Sequence, residues 1–259
     1  MVKLPTELAA IMSECLPARA VISITGGGGK TSLAFILARH FSENGKNVVL
    51  TTTTKICRPY PFEVQEIFFS DDGLSDFSCD SYFQNGGIVG SGVCNDQLIG
   101  ISPEAVDTFV TKNLADCIIV EADGARGFPF KGYESYEPLI PKLTALHIVM
   151  VGAEILIEPF SASNSFRSNL LEKRWHLKEG EIIPFRKLSA ILGSQSEYLK
   201  NSPETAMRLL LFNKCDLIDE TSVRIVANNL WKLLRGYDRS LFLSLRAGKS
   251  YFNSVFVTT

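Results

Sequence analysis

Ala20-Val21-Ile22-Ser23-Ile24-Thr25-Gly26-Gly27-Gly28-Gly29-Lys30-Thr31-Ser32 decides how this chain is read. An apolar β-type run enters four glycines, and Lys-Thr-Ser then opens an amphipathic segment. Glycines let successive backbone N–H groups turn inward around an anion, and a helix start adds unpaired donors and a positive dipole end. The pattern predicts a phosphate-binding loop in which Gly26, Gly27, Gly28 and Gly29 form the cradle. Lys30 would reach the β- and γ-phosphates, Thr31 would ligate a Mg²⁺ bridging the same oxygens, and Ser32 would touch the α-phosphate. Ile24 stands where the spacing G-x-x-x-x-G-K-[ST] places its first glycine, so the loop is effectively shorter than usual.

Two later stretches belong beside that loop. Asp116-Cys117-Ile118-Ile119-Val120-Glu121-Ala122-Asp123-Gly124-Ala125-Arg126 reads as a buried strand delivering two carboxylates and then turning. Next to a phosphate loop, Glu121 and Asp123 would hold Mg²⁺ directly or through water, and one could orient the attacking water. Arg208-Leu209-Leu210-Leu211-Phe212-Asn213-Lys214-Cys215-Asp216 is an apolar strand ending in N-K-x-D. An Asp216 carboxylate can accept from both N1–H and the exocyclic amine of guanine, while Asn213 and the Lys214 stem pack the base. GTP is therefore the favoured ligand, with ATP kept as the alternative.

The segment 47–54 should form a second strand ending in Thr51-Thr52-Thr53-Thr54-Lys55, where a hydroxyl such as that of Thr53 could meet the γ-phosphate or its Mg²⁺. Apolar periodicity predicts helices at 4–16, at 31–43, from the Ser102 cap to about Leu114, and at 220–234. Further strands are expected at 64–70, 87–93, 145–151 and 240–245, with the acidic stretch 71–80 as a solvated loop. Pro129, Pro138 and Pro141 make 128–141 an irregular, lid-like connection, and 152–205 reads as a mostly helical insert over the crevice. Trp175 and Trp231 are read as core fillers.

At 259 residues and 46% hydrophobic, the chain can bury a substantial core in one α/β domain with an insert. A net charge of −2, without runs of Lys or Arg, argues against nucleic acid or an anionic membrane as partner. Six scattered cysteines without a C-x-x-C pair fit the reducing cytoplasm. His40, His147 and His176 are isolated in sequence and suggest no metal-ligand cluster.

The loop resembles the variant T-G-x-x-G-K-T loop of the Mur-type ligases. More broadly, Thr25-Gly26-Gly27-Gly28-Gly29-Lys30-Thr31, Thr51-Thr52-Thr53-Thr54-Lys55, Val120-Glu121-Ala122-Asp123-Gly124-Ala125-Arg126 and Glu137-Pro138-Leu139-Ile140-Pro141 resemble the YqeC family. That resemblance implies a cytoplasmic P-loop protein acting in maturation of a selenium- and molybdenum-containing hydroxylase. Where the family carries histidine before Glu-Pro and before an arginine of the insert, this chain has Tyr136 and Phe166. The motif order also looks like that of GTPases assisting metal-cofactor insertion. The expected fold is a P-loop NTPase-like, doubly wound, mainly parallel α/β sheet over 1–259, with the insert at about 152–205. Three functions stay open: Mg²⁺-dependent hydrolysis of GTP or ATP, a nucleotide-switched interaction module, and a nucleotide-dependent ligase or kinase.

Overall fold

The structure, a computed structural model, describes residues 3–57, 66–69, 87–95 and 97–255. A first helix, α1 (Thr6–Cys15), precedes the central strand β1 (Ala20–Gly26), all seven residues of which are buried. The glycine loop leads into α2 (Lys30–Glu43), and Asn44-Gly45 ends that helix with Gly45 at a φ of 76°. Next come β2 (Val48–Thr52), β3 (Lys55–Cys57), β4 (Glu66–Phe69), β5 (Gly87–Gly90), β6 (Gly92–Cys94) and β7 (Gln97–Ile99). The helix α3 (Pro103–Thr111) starts where Ser102 Oγ accepts from Ala105 N at 3.1 Å. After it run β8 (Cys117–Glu121), β9 (Phe130–Lys131), β10 (Thr144–Gly152), β11 (Ser165–Phe166), α4 (Ser168–Trp175), α5 (Phe185–Leu192), β12 (Met207–Asn213), α6 (Glu220–Leu230), β13 (Arg239–Ser244) and β14 (Lys249–Val255).

Nine strands form one sheet in the order β14-β13-β12-β10-β1-β8-β2-β5-β4, parallel throughout except for β13 against β14. Strand side chains alternate between faces, and the core follows that alternation. Ile22, Ile24, Ile119, Leu146, Ile148, Leu209 and Leu211 pack with α1 and α2. Val149, Val151, Leu210 and Phe212 face the other way, onto α4, α5 and α6, while Val21, Val49, Ile118 and Val120 meet α3. Helices therefore cover both faces, the doubly wound arrangement. From β1 the chain moves out to one edge, returns to β8 beside β1, then crosses to β10 on the opposite side. The crevice at the carboxyl ends of β1, β8 and β10 is thus a topological switch point.

Several expectations need adjusting. The second strand stops at Thr52, because the chain bends through Thr53 and Thr54 and pairs again as β3 in a small sheet with β7 and β6. The strand expected at 87–93 is split between the large sheet and that small one, and the acidic stretch 71–80 lies outside the described residues. Between 128 and 141 the backbone is irregular, yet Phe130, Lys131, Tyr133 and Glu137 are buried, so this connection is part of the interior. Strand β14 carried no periodicity strong enough to predict it; its Phe252 meets Phe242 edge-on at 5.8 Å. Among the described residues, no helix is long and apolar enough to cross a membrane.

His147 illustrates the cost of polarity under such a sheet. On β10 its ring is fully buried, with Nε2 2.8 Å from Thr25 Oγ1 and Nδ1 3.0 Å from Ser202 Oγ. Burial pushes its pKa down to about 3, so the folded protein keeps it neutral. The unfolded chain takes up a proton below about 6.5, so stability should fall as pH drops from there toward 3, by up to roughly 5 kcal/mol. Urea titrations across that range should show a steeper acid loss for the native protein than for His147→Gln.

Candidate functional site

The site is assembled where β1 ends. Gly26, Gly28 and Gly29 adopt φ values of 92°, 79° and 120°, and a Cβ on Gly26 would sit 2.1 Å from the Met150 carbonyl oxygen. Three loop amides are already engaged by protein. Gly26 N donates to Asp123 Oδ2 at 2.9 Å, Gly27 N to the Met150 carbonyl at 2.8 Å, and Gly28 N to the Phe128 carbonyl at 2.9 Å. The expectation that all four glycines present amides to phosphate is therefore too broad: the first three shape the loop. The first amide bonded within α2 is that of Leu33, to Gly29 O, which leaves the N–H groups of Gly29, Lys30, Thr31 and Ser32 without intrahelical partners. Those four amides, with the hydroxyl side chains of the exposed residues Thr31 and Ser32, make the helix start an anion site.

Four of the residues read from the sequence converge here. Lys30 is buried, with Nζ donating to Gly26 O at 2.8 Å and lying 3.1 Å from Asp123 Oδ1 and 3.5 Å from Glu121 Oε1. Thr31 Oγ1 donates to Glu121 Oε2 at 2.8 Å. Burial works against the Lys30 ammonium, but Asp123 and Glu121 outweigh it and raise its pKa. At Glu121 burial dominates and lifts the carboxyl above the usual glutamate range, although Lys30 and Thr31 oppose it. Burial alone would also lift Asp123, yet Lys131, Lys30 and the Gly26 amide hold it below the usual aspartate range.

The cluster extends through residues the sequence reading did not place in the site. Lys131 is fully buried, its Nζ 2.7 Å from Gly124 O, 3.3 Å from Asp123 Oδ2 and 3.1 Å from Glu137 Oε2, and it sits 4.3 Å from the Tyr133 ring centre. Glu137 in turn binds Arg167, just before α4. Charges therefore alternate from Glu121 through Lys30, Asp123, Lys131 and Glu137 to Arg167. In sequence Lys131 is visible only as part of an irregular segment and Glu137 only as the first residue of a family motif, and their meeting depends on long-range packing.

The remaining predicted residues lie on other duties. Thr53 Oγ1 donates to the Leu139 carbonyl at 2.7 Å, so this hydroxyl ties the end of β2 to the 128–141 connection. Asn213 is buried, with Nδ2 donating to Gly28 O at 2.8 Å and Oδ1 accepting from Leu245 N at 2.9 Å. It thereby clamps the glycine loop to the segment after β13. Lys214 has a left-handed φ of 67° and pairs with Glu154, whereas Asp216 is exposed in the turn Cys215–Leu217.

Mg²⁺ is usually held by one or two protein oxygens together with phosphate and water. Thr31 Oγ1 and the Glu121 carboxylate fit that role, being adjacent hard oxygen donors at the start of α2. Asp123 is fully buried between Gly26 and two lysines, a position from which it braces the loop. Among the described residues no group of three or more His, Cys, Asp or Glu is placed to hold a metal by itself.

Strand, glycine loop, helix and flanking acidic strand end, at the switch point of a mainly parallel sheet, define a P-loop-type α/β protein. The chain belongs to the YqeC family, whose model, described as YqeC protein, matches residues 22–169. The uncharacterized protein YqeC of Escherichia coli (strain K12) is 31% identical over 206 residues, covering 75% of each chain. A crystal structure of the LAO/AO transport system kinase aligns with a TM-score of 0.40 and 15% identity over 94% of this chain, which spans 59% of that structure's length.

Proposed function

We propose that this protein binds a nucleoside triphosphate at the start of α2 and hydrolyses it with Mg²⁺, GTP being favoured over ATP. The observation that carries the reading is the convergence of Lys30, Thr31, Glu121 and four uncommitted amides on one point. Lys30 would exchange Gly26 O and its carboxylate partners for β- and γ-phosphate oxygens. Thr31 and Glu121 would hold the metal, and Glu121, raised by burial, would orient the attacking water or take its proton. When bound, Mg²⁺ supplies charge neutralisation at the phosphates. Asp123 would keep the loop closed through Gly26. Asp216, exposed just past β12, supports the guanine preference, and the helices between about 152 and 205 would act as an insert beside the site.

Phosphate release by purified protein tests the reading. Lys30→Ala removes a charged phosphate contact worth roughly 1.5–3 kcal/mol, so triphosphate affinity should fall about ten- to hundredfold. Unchanged affinity and turnover would reject it. Asp216→Asn should weaken GTP and favour xanthosine triphosphate, whose base offers an acceptor where guanine has an amine; an unaltered base preference would remove the guanine claim.

The family resemblance adds a proposed role, the maturation of a selenium- and molybdenum-containing hydroxylase in the cytoplasm, with that enzyme or its cofactor-maturation proteins as partner. Nucleotide-dependent co-purification with such a hydroxylase would support it. The same experiment separates the alternatives. Partner binding that needs the γ-phosphate with negligible turnover indicates a switch, and nucleotide consumption only with a small acceptor indicates a ligase or kinase.

A further inference from the structure

Beside the glycine loop, two aromatic rings and two arginines meet. Phe128 and Phe166 are half-buried and stacked, with ring centres 6.0 Å apart and planes 27° from parallel. Arg126 Cζ lies 5.4 Å and Arg167 Cζ 4.8 Å from the Phe166 ring centre, and Lys131 Nζ comes within 5.9 Å of it. Arg126 follows three residues after Asp123, and the Phe128 carbonyl accepts the Gly28 amide, so this face shares a wall with the loop.

The charges on this face are unequal. Lys131 is neutralised by Asp123 and Glu137, and Arg167 by Glu137 and, at 3.9 Å, Glu134. Arg126 is exposed and, among the described residues, has no carboxylate at ion-pair distance. A guanidinium held over a ring with no anion opposite it has unspent donors. A half-buried stacked pair beside it offers a flat apolar surface. Together they suit a ligand that is itself flat and anionic, with the ring against the phenylalanines and the anion at Arg126.

We propose that Arg126, Phe128, Phe166 and Arg167 form a second ligand site, separate from the triphosphate site and bordering it, for a small planar aromatic anion. This proposal goes beyond the nucleotide reading and does not require it. The test is calorimetric titration of the full chain with 1-naphthyl phosphate, alone and with GTP and Mg²⁺ present. Saturable binding is expected in both conditions. It should weaken at least about tenfold in Arg126→Gln and in Phe166→Leu, and persist in Phe166→Tyr, which keeps the ring, and in Lys30→Ala. Inorganic phosphate and 1-naphthol should each bind at least about tenfold more weakly than naphthyl phosphate. Absence of saturation, equal binding of inorganic phosphate, or displacement by GTP together with indifference to Arg126→Gln would overturn the proposal. If naphthyl phosphate binds as described while GTP does not bind at all, the nucleotide reading fails and this site stands.

Discussion

Asp123→Ala should lower the unfolding free energy by roughly 3–5 kcal/mol, the usual cost of stripping one partner from a buried ion pair. The fully buried Asp123 carboxylate meets Lys30, Lys131 and the Gly26 amide together. Without it, the Lys131 ammonium keeps, among the described residues, only Glu137 as an anionic neighbour, and the Gly26 N–H loses its acceptor. Urea denaturation of four proteins gives the decisive comparison: native, Asp123→Ala, Lys131→Met and the double variant. The double variant should lose less than the sum of the two single losses by about 1–3 kcal/mol, because removing both charges removes the stranded one. Losses that add to within about 0.5 kcal/mol would mean that the two side chains do not act as a unit.

Gly26→Ala should be strongly destabilising. The added Cβ would lie 2.1 Å from the Met150 carbonyl oxygen, a backbone atom that cannot swing aside, and φ of 92° is disfavoured for alanine. Strain of about 1 kcal/mol and overpacking of about 1–3 kcal/mol together predict a loss of roughly 2–4 kcal/mol. That corresponds to a fall in Tm of about 5 °C or more for a chain of this size. Gly45→Ala is the control, with φ of 76° but nothing within 4 Å of its new Cβ. It should show the conformational cost alone, and equal losses at the two positions would contradict the close approach at Gly26.

Lys30, Thr31, Glu121 and Asp123 were legible in the sequence because each is fixed by a local pattern: glycines between strand and helix, or an acid pair at the end of an apolar run. The parallel core strands were legible for the same reason, since strands buried on both faces read as continuous apolar stretches. The roles of Lys131, Glu137 and Arg167 were not: the family motifs mark Glu137 and the arginine after Phe166, but nothing in the local sequence distinguishes a lysine that is threaded into the interior from one that stays in water. Only the crossing from β8 to β10 brings Lys131 against Asp123. Asn213 was noticed as a base reader, yet its two hydrogen bonds are to backbone 185 positions earlier and 32 later in the chain. Such a tether has no signature in linear spacing. Strand β14 is not legible because Ser250, Asn253 and Ser254 dilute its apolar alternation.

The Asn213 clamp has a bearing on how small a working fragment can be made. The stretch matched by the family model ends at residue 169, before β12, β13 and the side chain that receives Leu245 N and grips Gly28 O. A polypeptide trimmed to that stretch would keep every residue of the glycine-rich turn but lose its brace and the neighbour of β10, exposing a raw apolar margin. Autonomy of the anion-holding end therefore belongs to the long chain, and truncation should abolish it without touching one of its own amino acids.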